Sequence, residues 1–215
     1  MKRILTLITT IPLFFIWCEK TLSNEIGYGE IENNTYTNHY FNMSIPVPSG
    51  WSIQSQAAIK EISNRGGNLI AGDNKNLQAV LKEAEKQTVN LFAFFKYEAG
   101  SPVEFNPSVI AVAERMTHMP GVKKGADYLF HVKKLLQTGQ IEYVFPEEIY
   151  NKDITGISFD VLPAEINMAD KTISQRYYST KINDYVLSVI LTHSSELESD
   201  ELNQIFNTLN FQHNL

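Results

Sequence analysis

Phe41, Met43, Ile45 and Val47 alternate with Asn42, Ser44, Pro46 and Pro48, the period of two that a half-buried strand produces. The prolines place this strand at an edge or at a strand end. Pro48-Ser49-Gly50-Trp51 then turns the chain into a second extended run that begins at Trp51. From Asn74 to Thr88 the period changes: Leu77, Val80, Leu81 and Ala84 fall at i, i+3, i+4 and i+7, backed by Lys82, Glu83, Glu85 and Lys86. That spacing predicts a surface helix with one apolar face. Leu91–Tyr97 and Ser108–Met116 are short β-rich runs separated by Gly100, Pro102 and Pro107, and they predict two paired strands. A second helix is predicted over Lys123–Thr138, where Tyr128, Leu129, Val132, Leu135 and Leu136 share a face and Gly139 supplies a stop.

Beyond this helix the period of two returns. Gly156–Leu162, Thr172–Thr180 and Tyr185–Thr192 are β-rich runs interrupted at Asn167-Met168-Ala169-Asp170 and at Lys181-Ile182-Asn183-Asp184, the pattern of an antiparallel meander. Ser195-Glu196-Leu197-Glu198 has capping-box spacing, and Leu202, Ile205, Phe206 and Leu209 follow it as the apolar face of a terminal helix. Asp200 and Glu201 put further negative charge near its positive end. Strands clustered in sequence, with helices between and after them, predict an α+β fold in which helices flank an antiparallel β-sheet.

The 215 residues suit one domain, and 12 Phe, 10 Tyr and 2 Trp supply enough large apolar surface for a core without disulfides. The one cysteine, Cys18, falls in the N-terminal segment, so a mature domain would hold no thiol chemistry. With 18 basic and 24 acidic residues the chain carries a formal charge of −6, and an acidic surface repels phosphate backbones, so no nucleic-acid partner is expected.

At the N-terminus, Lys2-Arg3 precedes a mostly apolar stretch from Ile4 to Trp17, which suits a signal peptide and is short for a membrane span. Thr21-Leu22-Ser23 places small residues at the positions a signal peptidase reads, so residues 1–23 are assigned as signal peptide with cleavage before Asn24. Lipidation of Cys18, or retention of the segment, would instead give membrane association facing outward. In each case the domain is expected to be exported, periplasmic or secreted. Residues 24–35 are rich in Gly, Asn and Glu without apolar periodicity and are read as a flexible tether, leaving residues 36–213 as the domain.

Candidate chemistry is sparse. His39, His118, His131, His193 and His213 are scattered, without HExxH or an i, i+4 pair for zinc. No GxSxG elbow is present. Gly66-Gly67 and the Gly121/Gly125 pair resemble fragments of phosphate loops but lack GK[ST] or GxGxxG, and are read as ordinary turns. Glu147, Glu148 and Asp153 form an acidic cluster near Tyr150, read as a solvated loop in the absence of EF-hand spacing. Lys123, Lys124, Lys133 and Lys134 are the one basic concentration, and Tyr177, Tyr178 and Tyr185 divide between core and a possible binding surface. No catalytic, cofactor-binding or metal-ligating residue is assigned, and no cofactor is expected.

The stretch from Tyr36 to Trp51 resembles the opening Y-x-N-x-x-F-x-x-x-x-P-x-x-W of PsbP-like proteins. Ile154-Thr155-Gly156-Ile157-Ser158-Phe159 is similar to that family's I-x-G-x-x-F strand entry, and Tyr177-Tyr178-Ser179-Thr180 and the acid-capped terminal helix leading to Leu209-Asn210-Phe211 continue the order. The resemblance covers residues 36–211 and is loose over Asn64–Gly100. It implies an α/β/α sandwich, as in the PsbP, DcrB-like and Ran-binding members, which are mostly accessory or binding proteins sharing no catalytic motif. The expected function is therefore that of a non-catalytic exported accessory protein docking on another macromolecule, an envelope protein for instance. The alternative is a carrier holding a small apolar ligand between sheet and helices, suggested by the aromatic strands Leu91–Tyr97 and Tyr177–Tyr185.

Overall fold

The computed structural model describes residues 26–212. The signal-peptide and Cys18 assignments, the start of the tether and His213 lie outside the described residues.

In chain order the elements are β1 (Glu30–Glu32), β2 (Thr35–Asn38), β3 (Met43–Pro46), β4 (Ser52–Ile53), α1 (Gln56–Ala71), α2 (Lys75–Gln87), β5 (Thr88–Phe95), β6 (Ser108–Arg115), α3 (Gly125–Thr138), β7 (Tyr143–Val144), β8 (Tyr150–Ile154), β9 (Ile157–Asn167), β10 (Thr172–Ile182), β11 (Tyr185–His193), α4 (Glu196–Phe206) and β12 (Asn210–Phe211). A large sheet has the order β4-β5-β6-β11-β10-β9-β7, with β8 also pairing β9, and a small sheet has the order β1-β2-β3-β12. Every pairing is antiparallel. The predicted α+β architecture of helices flanking an antiparallel sheet is thus the one observed, and the meander is β9-β10-β11; its β10–β11 turn is confined to Asn183–Asp184, because Lys181 and Ile182 continue the pairing of β10.

The two faces of the large sheet are covered differently. On one face Val109, Ala111, Leu187, Val189, Phe159 and Tyr178 are buried with Leu202 and Phe206 of α4 and with Tyr36, Met43 and Ile45 of the small sheet. Burial of side chains this size stabilises the fold by about 1.5–3 kcal/mol each. Ring contacts lock the layer: Tyr178 meets Phe206 at 4.3 Å, and Phe92 stacks on Phe94 at 4.6 Å and tilts against Tyr36 at 4.8 Å. The opposite face carries α1, α2 and α3. Here Met116, Val122 and Val186 form a smaller cluster with Met119 and Tyr128.

Three differences from the sequence reading have local causes. Residues 26–35, read as part of a tether, contain β1, which forms a hairpin with β2; Asn33 and Asn34 take positive φ at the turn, a conformation asparagine tolerates. Helix α1 runs through Gly66-Gly67, a pair whose composition predicts a turn. Its start is set by Ser55, whose Oγ accepts a hydrogen bond from the Ala58 amide at 3.2 Å. Short strands β7 and β8 pair with β9, so the acidic cluster expected on a solvated loop is partly sheet, with Asp153 in β8.

Candidate groove between helices and sheet

Helices α1 and α2 bury few side chains. Ile59 and Ala71 are the buried residues of α1, and Leu77 is that of α2, whereas Ile62, Leu69 and Val80 stay exposed. The hairpin therefore does not seal onto the sheet: a groove of about 970 Å³ lies between the two helices and β5–β6. This volume falls in the upper part of the range of small-molecule sites, which runs to about 1,000 Å³.

Five side-chain amides line the groove, beside apolar residues such as Leu81, Ala84 and Val112. Gln56, Asn64 and Asn68 reach it from α1, Gln78 from α2 and Asn90 from β5, and Tyr28 stands at its edge. Asparagine is disfavoured in strands, and Asn90 sits where the β5–β6 register shifts, between Asn90 and Phe92. Such a bulge re-aims side chains and is common beside functional sites. Gln56 donates through Nε2 to the Leu91 carbonyl at 3.4 Å, while its Oε1 is buried with no hydrogen-bond partner among the described residues. An unmet buried acceptor costs about 1–3 kcal/mol.

Charge in the groove is nearly balanced. Lys60 of α1 pairs with Glu85 of α2 at 3.3 Å, bridging the helices. Lys82 also lines the groove and has no carboxylate within ion-pair distance among the described residues. The far end of the hairpin is fixed by polar contacts: the Gln140 amide donates to the Ile70 carbonyl and its Nε2 donates to the Leu69 carbonyl, both at 2.8 Å. Gly72 closes α1 with φ +51°, and a β-carbon there would strike Gln140.

The residues singled out from the sequence do not assemble into a second site. Gly66 and Gly67 lie inside α1, neither in a phosphate loop nor in the turn expected. Gly125 opens α3, and the free amides there are already met by carboxylates: Asp160 Oδ2 accepts from Ala126 at 2.7 Å, and Asp127 Oδ2 accepts from Lys123 and Lys124 at 2.9 and 3.1 Å. An incoming phosphate would find this helix end filled. Glu148 pairs with Lys133 at 3.6 Å, while Asp153 accepts from the Gly156 amide in the β8–β9 turn at 3.0 Å. Lys134 lies over the Phe130 ring at 4.3 Å and Lys133 over Phe145 at 5.1 Å, so these two lysines pack on aromatic rings of their own chain.

His39 pairs with Glu30 at 3.2 Å on the surface, His118 is exposed, and His131 packs edge-on against Phe130. His193 is buried at the end of β11, and its Nε2 has no partner among the described residues. Burial, reinforced by the Arg176 guanidinium, holds its pKa below the usual imidazole value. Among the described residues no group of three or more His, Cys, Asp and Glu side chains could hold a metal ion, and no helix is long and apolar enough to cross a membrane.

Phe92, Phe94, Tyr178 and Tyr185 are core residues, and burial pushes the Tyr178 hydroxyl up to about 12. Tyr177 points to the other face, donates to Gln175 Oε1 at 2.7 Å, and has its pKa raised by burial. Most aromatic side chains of these strands are therefore consumed by packing, and the groove is lined by polar and apolar groups together. Sequence reasoning missed that groove because its amides come from three separate segments, none with a motif.

No protein-family model and no curated protein matches the chain. Solved structures do. The solution structure of cyanobacterial PsbP (CyanoP) from Synechocystis is 9% identical, with 86% of this chain and 98% of that chain covered and a TM-score of 0.48. LpqN of Mycobacterium tuberculosis, involved in cell envelope biogenesis, is 11% identical over 78% of this chain and 82% of that one, with a TM-score of 0.41. PA94, a protein of unknown function from Pseudomonas aeruginosa, is 16% identical over 56% and 82%, with a TM-score of 0.38.

Proposed function

We propose that this chain is a non-catalytic, exported accessory protein of the cell envelope that docks on another macromolecule through the groove between α1, α2 and the large sheet. The observation that carries the reading is the α1–α2 hairpin, which spans 16 and 13 residues yet leaves an open, amide-lined groove against the sheet. A hairpin serving only to cover the sheet would bury an apolar stripe and close the gap. The signal-like N-terminal sequence supports export.

In-cell photo-crosslinking of the full-length protein tests this. A photoreactive residue at Ser63, which lines the groove, is expected to give one reproducible envelope adduct, and the same probe at Thr138 of α3 is not. Absence of an adduct at Ser63, or equal adducts at both positions, would overturn the assignment.

A further inference from the structure

The chemistry of the groove narrows its occupant, and this inference rests on reading the groove as the recognition site. We infer that the groove binds a segment of carbohydrate. A primary amide presents a donor and an acceptor side by side in one plane, the complement of a pair of neighbouring sugar hydroxyls, each of which both donates and accepts. Asn64, Asn68 and Asn90 supply three such groups to one groove, and Gln56 and Gln78, whose Nε2 atoms donate to the Leu91 and Gly72 carbonyls, add their side-chain oxygens as acceptors. Tyr28, 59% exposed at the edge, offers an aromatic face to the C–H side of a sugar ring.

Other ligand classes fit less well. A phosphate-rich ligand calls for several convergent cations, but Lys60 is engaged by Glu85 and only Lys82 is left without a carboxylate, among the described residues. An apolar ligand would strip water from Asn64, Asn68 and Asn90 without repaying their hydrogen bonds. The Gln56 Oε1 atom supplies an independent sign of a missing donor: it is buried and unpartnered while its own Nε2 is anchored to the Leu91 carbonyl. A ligand hydroxyl donating there would satisfy it.

The test titrates the purified exported protein with cellotetraose, chitotetraose and tetragalacturonate, which are neutral, N-acetylated and anionic. Amide resonances are followed by heteronuclear NMR. The expected result is saturable shifts at Gln56, Asn64 and Asn90 with at least one sugar, weakened about tenfold or more, roughly 1.4 kcal/mol, by Asn64→Ala and by Tyr28→Ala. Both residues lie outside the core, and unchanged melting temperatures of the variants would show that folding is intact. No saturable shift at millimolar sugar, or binding indifferent to both substitutions, overturns the carbohydrate assignment. If sugars fail while the Ser63 crosslink still captures an envelope protein, the docking groove stands and its ligand class falls. If both fail, the groove is not a recognition site.

Discussion

Gly125, the first residue of α3, lies so close to the backbone carbonyl of Ser179 in β10 that no β-carbon fits between them. The obstacle is backbone, which cannot swing aside as a flexible side chain would. Gly125→Ala is expected to destabilise the fold by about 1–3 kcal/mol, read as a lower urea midpoint at unchanged m-value. An unchanged midpoint would show that α3 can slide along the sheet.

The paired glycines of α1 behave in the opposite way. A β-carbon at Gly66 meets nothing within 4 Å, and one at Gly67 meets Leu81 Cδ1 at 3.7 Å, an ordinary contact. Replacing helical glycine by alanine removes backbone freedom from the unfolded chain, so Gly66→Ala is expected to stabilise by about 0.5–1 kcal/mol. Gly67→Ala should stabilise comparably but also places a methyl group at the groove wall. Thermal melts of both variants, with the sugar titration repeated on the second, separate the two effects.

The start of α4 is held by two side chains. Ser195 Oγ accepts from the Glu198 amide at 3.3 Å, and Glu198 Oε2 turns back to accept from the Ser194 amide and hydroxyl at 2.8 and 3.1 Å. Ser195→Ala is expected to cost about 1 kcal/mol. Because α4 contributes Leu202 and Phe206 to the main core, the loss should appear in global unfolding rather than as local fraying.

His193 gives the protein a pH response. Its folded-state pKa is depressed by burial and by Arg176, so on acidification the unfolded chain binds this proton before the folded one does. Stability is therefore fully present above the unfolded value, about 6.5, and falls as the pH drops below it. His193→Gln should flatten the dependence of the urea midpoint between about pH 7 and pH 5. An equally steep slope in the variant would assign the response to other groups.

What the sequence disclosed depended on how locally each feature is encoded. Helix α2 could be read because Leu77, Val80, Leu81 and Ala84 repeat with helical period, and its cap is Asn74, whose Oδ1 accepts from the Leu77 amide at 3.1 Å. The meander could be read because β9, β10 and β11 follow one another with short turns. Helix α1 could not, since Gly66, Gly67 and two asparagines interrupt it, and its formation depends on support from neighbouring elements. The acid-filled N-terminus of α3 was equally hidden, because Asp160 reaches it from β9, 34 residues away along the chain. The groove is the extreme case: its amides meet only after the sheet and hairpin have formed.

The clamp made by Gln140 bears on how these parts move. It fixes the end of α1 through two backbone carbonyls, whereas the body of the hairpin has little apolar adhesion to the sheet. A segment held at its tip by Gln140 and at its base by Gln56 and the chain itself, with few buried side chains between, opens at lower cost than the core. Native-state hydrogen exchange should therefore show two tiers. Amides of α1 and α2 would exchange through local opening of the hairpin, while those of β6, β10 and β11 would wait for the whole molecule to unfold. In such a molecule the integrity of the groove wall would be set by a local equilibrium separate from the stability of the core.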